Sequence, residues 1–120
     1  MAKATAFGVT FDSQTERDRY LVLRSLVDSG VISDLEVQPG PFTLVDRFRD
    51  QWGKAWRAVK YTPDFAYTAP DGVRVVEEVK PDSRKARSWG REVQVKLKLL
   101  AQAHPDWRVR VWTPGDGGAA

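Results

Sequence analysis

Two acids and a lysine in this chain have the types and spacing to hold a divalent metal against a phosphodiester. Asp64 lies in Tyr61-Thr62-Pro63-Asp64-Phe65, and Glu78-Val79-Lys80 begins fourteen positions after it. Phosphodiester hydrolysis needs a nucleophilic water, charge neutralisation at the pentavalent phosphorus and help for the leaving oxygen. Asp64 and Glu78 can ligate Mg²⁺ directly. Lys80 can orient or deprotonate the attacking water, or neutralise charge in the transition state, and burial beside a metal would lower its pKa. The competing interpretation of the same trio is a salt-bridged cluster on a solvated strand face, which composition alone favours.

The elements that must position these groups are strands. Val73 to Lys80 reads as one, so Glu78 and Lys80 point the same way and Glu77 the other. A hairpin partner over Val59 to Tyr67 places Asp64 beside Glu78. Thr68-Ala69-Pro70-Asp71-Gly72 carries the turn chemistry between them. Glu77, on the opposite face, reads as structural or solvated. It would replace Glu78 only if the register shifted by one, which would separate it from Lys80.

A chain of 120 residues with 42% hydrophobic and 29% charged content reads as one globular domain. It has no cysteine and one histidine, which excludes a disulfide framework and a thiolate metal site and argues against a His-rich zinc site or a Ser-His-Asp hydrolase. Any metal must therefore be held by oxygen, which favours Mg²⁺ or Mn²⁺. No run approaches membrane-spanning length and no signal peptide is visible, so a cytoplasmic protein without a membrane partner is expected. The net charge of +3 is mildly basic and leaves the acids inside a chain that can still attract a phosphate polymer.

Outside the hairpin, Ser13-Gln14-Thr15-Glu16 fits a capping box that opens a helix running to about Ser29, with Gly30 as its stop. Glu16 either completes that cap or, lying four residues before Tyr20 on the inward stripe, reaches toward the acids. A first strand over Leu35 to Gln38 resumes at Phe42 to Val45, with Pro39-Gly40-Pro41 marking an edge or bulge. In Asp46 to Lys60, Phe48, Trp52 and Trp56 recur every four residues among Arg47, Arg49, Lys54, Arg57 and Lys60. The segment reads as a short amphipathic helix packing its rings on the core, or as a flap. In the flap, basic residues such as Lys60 lie on phosphates and a tryptophan such as Trp52 stacks on an unpaired base. A second helix follows Pro81-Asp82-Ser83, with Ala86, Trp89, Val93, Leu97 and Leu100 inward. Arg84, Lys85, Arg87 and Arg91 crowd its first turns, where the macrodipole disfavours cations; phosphate contact or a solvated face explains them. Lys96 flanks the inward stripe and can reach the site or a bound strand. His104 reads as a capping or surface residue, Trp107 to Trp112 as a last strand, and residues 1–6 and 113–120 as loose tails.

Pro63-Asp64 followed by Glu78-Val79-Lys80 resembles the PD-(D/E)xK signature of the metal-dependent nuclease superfamily. The wider pattern comprises Phe11-Asp12-Ser13, Glu16, Gly30-Val31-Ile32, Leu35, Gln38-Pro39, Tyr61, Asp64-Phe65, Tyr67, Val75 to Lys80 and Lys96-Leu97-Lys98-Leu99. Together, over roughly residues 7 to 100, these resemble small, mostly phage-encoded nuclease-like proteins near the Holliday junction resolvases. The resemblance implies a restriction-endonuclease-like α/β core, ordered α-β-β-β-α-β, with a small mixed sheet flanked by helices. It implies Mg²⁺- or Mn²⁺-dependent cleavage of DNA, with Asp64, Glu78 and the Val79 carbonyl as ligands, Glu16 adding a ligand, and Lys80 at the attacking water. Branched DNA would suit a homodimer with two sites. Two other readings stay open: a non-catalytic nucleic-acid-binding module that keeps the fold, and an RNA-directed nuclease.

Overall fold

A computed structural model describes residues 4–81 and 91–116. A short antiparallel ribbon, β1 (Ala4–Ala6) and β2 (Val9–Phe11), leads into helix α1 (Gln14–Asp28). Residues 4–6 are thus a paired strand where a loose tail was expected. Ser13 caps α1, its hydroxyl accepting from the Glu16 N–H at 3.2 Å. Gly30, at φ +77°, takes the left-handed conformation that ends the helix without a Cβ penalty.

The central sheet is mixed and four-stranded, in the order β10–β9–β8–β3: Arg108–Trp112, Arg74–Val79, Phe65–Thr68 and Ser33–Val37. β3, β8 and β9 run antiparallel in turn, and β10 lies parallel to β9 after the crossover through helix α2 (Arg91–Ala103). Along the chain, the two helices and the strands of this sheet run α1, β3, β8, β9, α2 and β10, with four further short strands inserted between β3 and β8. β3 and β10 are the edge strands, and the register of β3 with β8 shifts between Ser33 and Glu36, where Asp34 takes φ +53°.

The strand alternation divides the core in two. Phe65, Tyr67, Val75 and Val79 pack with Tyr20 and Leu23 of α1, Phe11, Ile32 and Trp112. On the other face Ala66 and Val76 pack with Leu100 of α2 and Tyr61, flanked by Phe42, Leu97 and Trp107. Leu97 and Leu100 thus turn inward from α2; Ala86 and Trp89 of the expected stripe lie outside the described residues.

Four sequence readings are corrected here. Val59 to Tyr67 is not one strand. β7 (Val59–Tyr61) pairs with β4 (Phe42–Val45), and only β8 pairs with β9, because Pro63 has no N–H to donate and the chain turns at residues 62–64. β4 likewise leaves the sheet of β3 at Pro39-Gly40-Pro41, where the Gly40–Pro41 peptide is cis. Gly40, at φ +100°, lies so close that a Cβ would meet the Phe42 nitrogen at 2.7 Å. Asp46 to Lys60 is not an amphipathic helix: β5 (Phe48–Arg49) and β6 (Ala55–Trp56) form an exposed hairpin. Phe48 and Trp56 stand symmetrically about Trp52 across a turn, and that symmetry imitates a four-residue helical repeat. At the other end Thr113 is buried rather than part of a loose tail. Among the described residues, no helix is long and apolar enough to cross a membrane.

Candidate active site

Asp64 sits just before β8, in continuation of the β8–β9 register that pairs Phe65 with Glu77. Its backbone is pinned from both sides. The Asp64 N–H donates to the Glu77 carbonyl at 3.1 Å, and the Asp64 carbonyl accepts from the Gln38 N–H at 2.8 Å. Extending the antiparallel register by one position sets Asp64 directly across from Glu78. The Glu78 carboxyl lies close enough to act on Asp64 electrostatically, and the Val79 N–H donates to Asp64 Oδ2 at 2.7 Å.

This arrangement opposes ionisation. Burial first, and then the Glu78 charge, pushes the Asp64 carboxyl up to about 8, although the Val79 N–H pulls it down. Two carboxyl groups so placed at a partly buried position retain a proton that isolated acids would have lost. Lys80 Nζ is 3.7 Å from Glu78 Oε2, so the lysine and both acids share one face as the alternation requires. The Tyr61 hydroxyl donates a short hydrogen bond to Glu78 Oε1. Burial and that acceptor hold the phenol strongly protonated. Sequence reading gave Tyr61 no role. Its signal is position: it closes the strand three residues before Asp64, where the chain must turn back toward β9.

Glu16 enters from the N-terminal turn of α1. Its carboxyl is raised by burial, then by the charges of Asp12 and Glu78, while Lys80 and the Asp12 backbone N–H act in the other direction. Its carboxyl therefore lies within electrostatic reach of Asp12 and of the acid pair. A cleft of about 380 Å³ opens between Ser13–Glu16 and Val79–Pro81. The contact that Val79 makes with the acids is through its N–H; its side chain is buried in the core against α1.

The opposite face of β9 carries a different cluster. Glu77 is fully buried and accepts from Arg19 Nε at 2.9 Å and Nη2 at 2.7 Å. It also accepts from Arg110 Nη2 at 2.6 Å and from the Tyr67 hydroxyl. Burial raises its pKa, but the arginines and Tyr67 outweigh burial and hold it below the usual carboxylate value. Tyr67 itself is pushed up to about 12, by burial and by the Glu77 charge. Arg19 stacks its guanidinium 4.5 Å over Trp112. This cluster ties α1 to β9 and β10, one helical turn from Glu16. Glu77 is structural, and it is paired rather than solvated.

Of the expected DNA-contacting residues, Arg84, Lys85 and Arg87 lie outside the described residues. Arg91 is exposed at the start of α2, and Lys96 is half-buried and paired with Glu92 at 3.1 Å. Lys60 is exposed in β7, and Trp52 is 95% exposed at the hairpin turn. His104, half-buried at the end of α2 where its N–H donates to the Leu100 carbonyl, also stacks on Trp107 with ring centres 3.6 Å apart.

The donors near the acid pair are all oxygens, which fits a hard dication: Asp64 directly across from Glu78, with Glu16 further off. Among the described residues, no group of three or more His, Cys, Asp or Glu side chains stands assembled around one point. No curated protein and no solved structure matches the chain. Residues 1–113 match the family described as "Protein of unknown function (DUF1064)", and the chain belongs to that family.

Proposed function

We propose that this protein is a Mg²⁺- or Mn²⁺-dependent nuclease that hydrolyses DNA phosphodiesters, on a restriction-endonuclease-like core of the PD-(D/E)xK type. The observation that carries the reading is the placement of Asp64 directly across from Glu78, two carboxyls on one face beside a single lysine. Such an arrangement costs stability in the metal-free protein, and a structural role does not call for it. Asp64 and Glu78 would hold the cation, with Glu16 able to complete its shell. When bound, the ion supplies Lewis acidity and neutralises charge on the phosphate.

The chain's own groups do the rest. The Val79 N–H fixes one oxygen of Asp64, and Tyr61 fixes one oxygen of Glu78, leaving the remaining lone pairs for a ligand. Lys80, next to Glu78 and facing the cleft, is placed to orient the attacking water or to balance charge as the leaving oxygen departs. A branched DNA substrate and a homodimer with two such sites, acting in the host cytoplasm if the protein is phage-encoded, complete the proposal.

The second reading is a nucleic-acid-binding module that kept the fold without the reaction. It is favoured by one observation: Glu16 stands apart, so three acids are not assembled among the described residues. Asp64→Ala separates the two readings. A nuclease loses all metal-dependent cleavage of a panel of four-way junction, flap, single-stranded and duplex DNA, while its DNA binding is kept or tightened. If the parent and Asp64→Ala are equally inactive on every form with Mn²⁺ present, the binding module is correct. Matched RNA oligonucleotides in the same assay decide between DNA and RNA.

A further inference from the structure

The β5–β6 hairpin sets aromatic side chains out from the core. Residues 46–49 and 51–57 are exposed, with Phe48 at 51%, Trp56 at 44% and Trp52 at 95%. Among the described residues, no other element packs substantially on the hairpin. A two-stranded ribbon alone is marginal in water, so its rigidity must come from within.

That rigidity is visible in the hydrogen bonds. Asp50 Oδ1 accepts from the Trp52 and Lys54 N–H groups at 2.9 and 3.1 Å, and Oδ2 accepts from Trp56 Nε1 at 2.9 Å. The Trp56 hydrogen bond is the main cause holding Asp50 below its usual pKa. Arg49 Nη1 donates to the Gly53 carbonyl at 2.9 Å, closing the turn from the other side. Phe48 and Trp56 stack across the strands at 6.3 Å, and Lys54 lies 4.1 Å over the Trp56 ring. One acid thus shapes the turn, orders Trp56 and sets Trp52 out at the tip.

The segment from Asp46 to Lys60 holds five cations against two acids, one of which is committed to the turn. A rigid arm that combines cations with exposed flat rings matches a strand with a phosphate backbone and bases free to stack, whereas paired bases offer no such face. The root of the arm is the β4–β7 ribbon, which ends at Tyr61, in contact with Glu78. At about 3.3 Å per residue, the tip lies at most roughly 30 Å from the Tyr61 backbone.

We propose that the hairpin is a base-stacking arm for DNA with unpaired nucleotides, in which Trp52 stacks on an unpaired base and Arg47, Arg49 and Lys54 contact the adjoining phosphates. The identification of DNA as partner rests on the nuclease reading, but the stacking is measured without cleavage.

The test is equilibrium binding of the full chain, in EDTA, to dye-labelled duplexes of one length. One is fully paired and the other carries a short unpaired flap. The parent is expected to prefer the flapped DNA. Trp52→Ala is expected to lose about tenfold or more in affinity for the flapped DNA and little for the paired one, with Trp52→Phe close to the parent. A side chain so exposed can be removed without unfolding the protein, which circular dichroism checks. Equal binding of parent and Trp52→Ala to flapped DNA overturns the proposal. So does an equal loss on both duplexes, or a parent dimer that Trp52→Ala dissociates while DNA binding stays unchanged. If Trp52 governs binding but no DNA form is cut with Mn²⁺, the nuclease reading falls and the arm stands. If the parent cuts DNA while Trp52→Ala binds and cuts identically, the arm falls and the nuclease stands.

Discussion

Glu77 and Glu78 are consecutive residues of β9 on opposite faces of one sheet, and their surroundings are opposite in kind. Glu77 meets two guanidinium groups and a phenol, so its charge is compensated on every side. Glu78 also accepts from a phenol, that of Tyr61, but it meets another carboxyl group and no guanidinium, with one lysine 3.7 Å away as partial compensation. Both acids are withdrawn from solvent. The difference lies in what surrounds them, and it separates an acid that holds the fold together from one poised to take a cation that the chain does not provide.

Exchanging each for alanine gives the widest contrast. Glu77→Ala leaves Arg19 buried without its carboxylate and is expected to lower the unfolding free energy in urea by about 3–5 kcal/mol. Glu78→Ala frees the Tyr61 hydroxyl but removes a like charge from Asp64, so stability should change by less than about 1.5 kcal/mol. Metal-dependent cleavage should vanish in Glu78→Ala. Equal destabilisation by the two substitutions would break the comparison.

The two faces should also give stability opposite dependences on pH. Glu77 has its folded pKa below the ordinary value of 4.5, so its contribution is complete above that value and is lost as pH falls through the folded pKa. Asp64 has its folded pKa raised from 3.8 to about 8, so the folded chain keeps a proton that the unfolded chain releases. Its influence therefore lowers stability as pH rises from about 4 to about 8. Melting temperatures across this range should show that decline in the parent without metal. Asp64→Asn should flatten it, and millimolar Mn²⁺ should lessen it.

Smaller effects sharpen the picture of how the acids are aimed. Tyr61→Phe removes one hydrogen bond to Glu78, worth about 1 kcal/mol, and should reduce cleavage by about tenfold while lowering the melting temperature by only about 4 °C. Ser13→Ala removes the cap of the helix that carries Glu16 and should cost about 1 kcal/mol in thermal unfolding, with a smaller effect on cleavage.

How much of this was legible in the sequence depended on the distance over which each contact acts. The Ser13 cap and the Gly30 stop are local patterns and were readable. So was the shared face of Glu78 and Lys80, which needs only strand alternation. The pairing of Asp64 with Glu78 was also readable, because a Pro-Asp-Gly turn lies between them and folds the chain back. The Arg19–Glu77–Arg110 cluster was not. Its members are separated by 58 and 33 positions, and no local signal links an arginine on a helix to a particular acid on a strand. Asp46 to Lys60 stayed open between a helix and a flap for another reason: spacing symmetric about Trp52 fits a helix and a β-turn equally well, and only the Asp50 network decides between them. Arg84, Lys85 and Arg87 lie outside the described residues, so their expected phosphate contacts have no structural counterpart here.

The most direct measurement is of the cation itself. Titrating the protein with Mn²⁺ near pH 8 and following the electron paramagnetic resonance of the free ion reads occupancy with no DNA and no reaction. The parent should deplete the free-ion signal, Mg²⁺ should restore it by competition, and Asp64→Ala and Glu78→Ala should leave it untouched. A parent that takes up no more Mn²⁺ than Asp64→Ala would contradict the account, because facing carboxylates that bind no hard dication cannot be the metal centre of a nuclease.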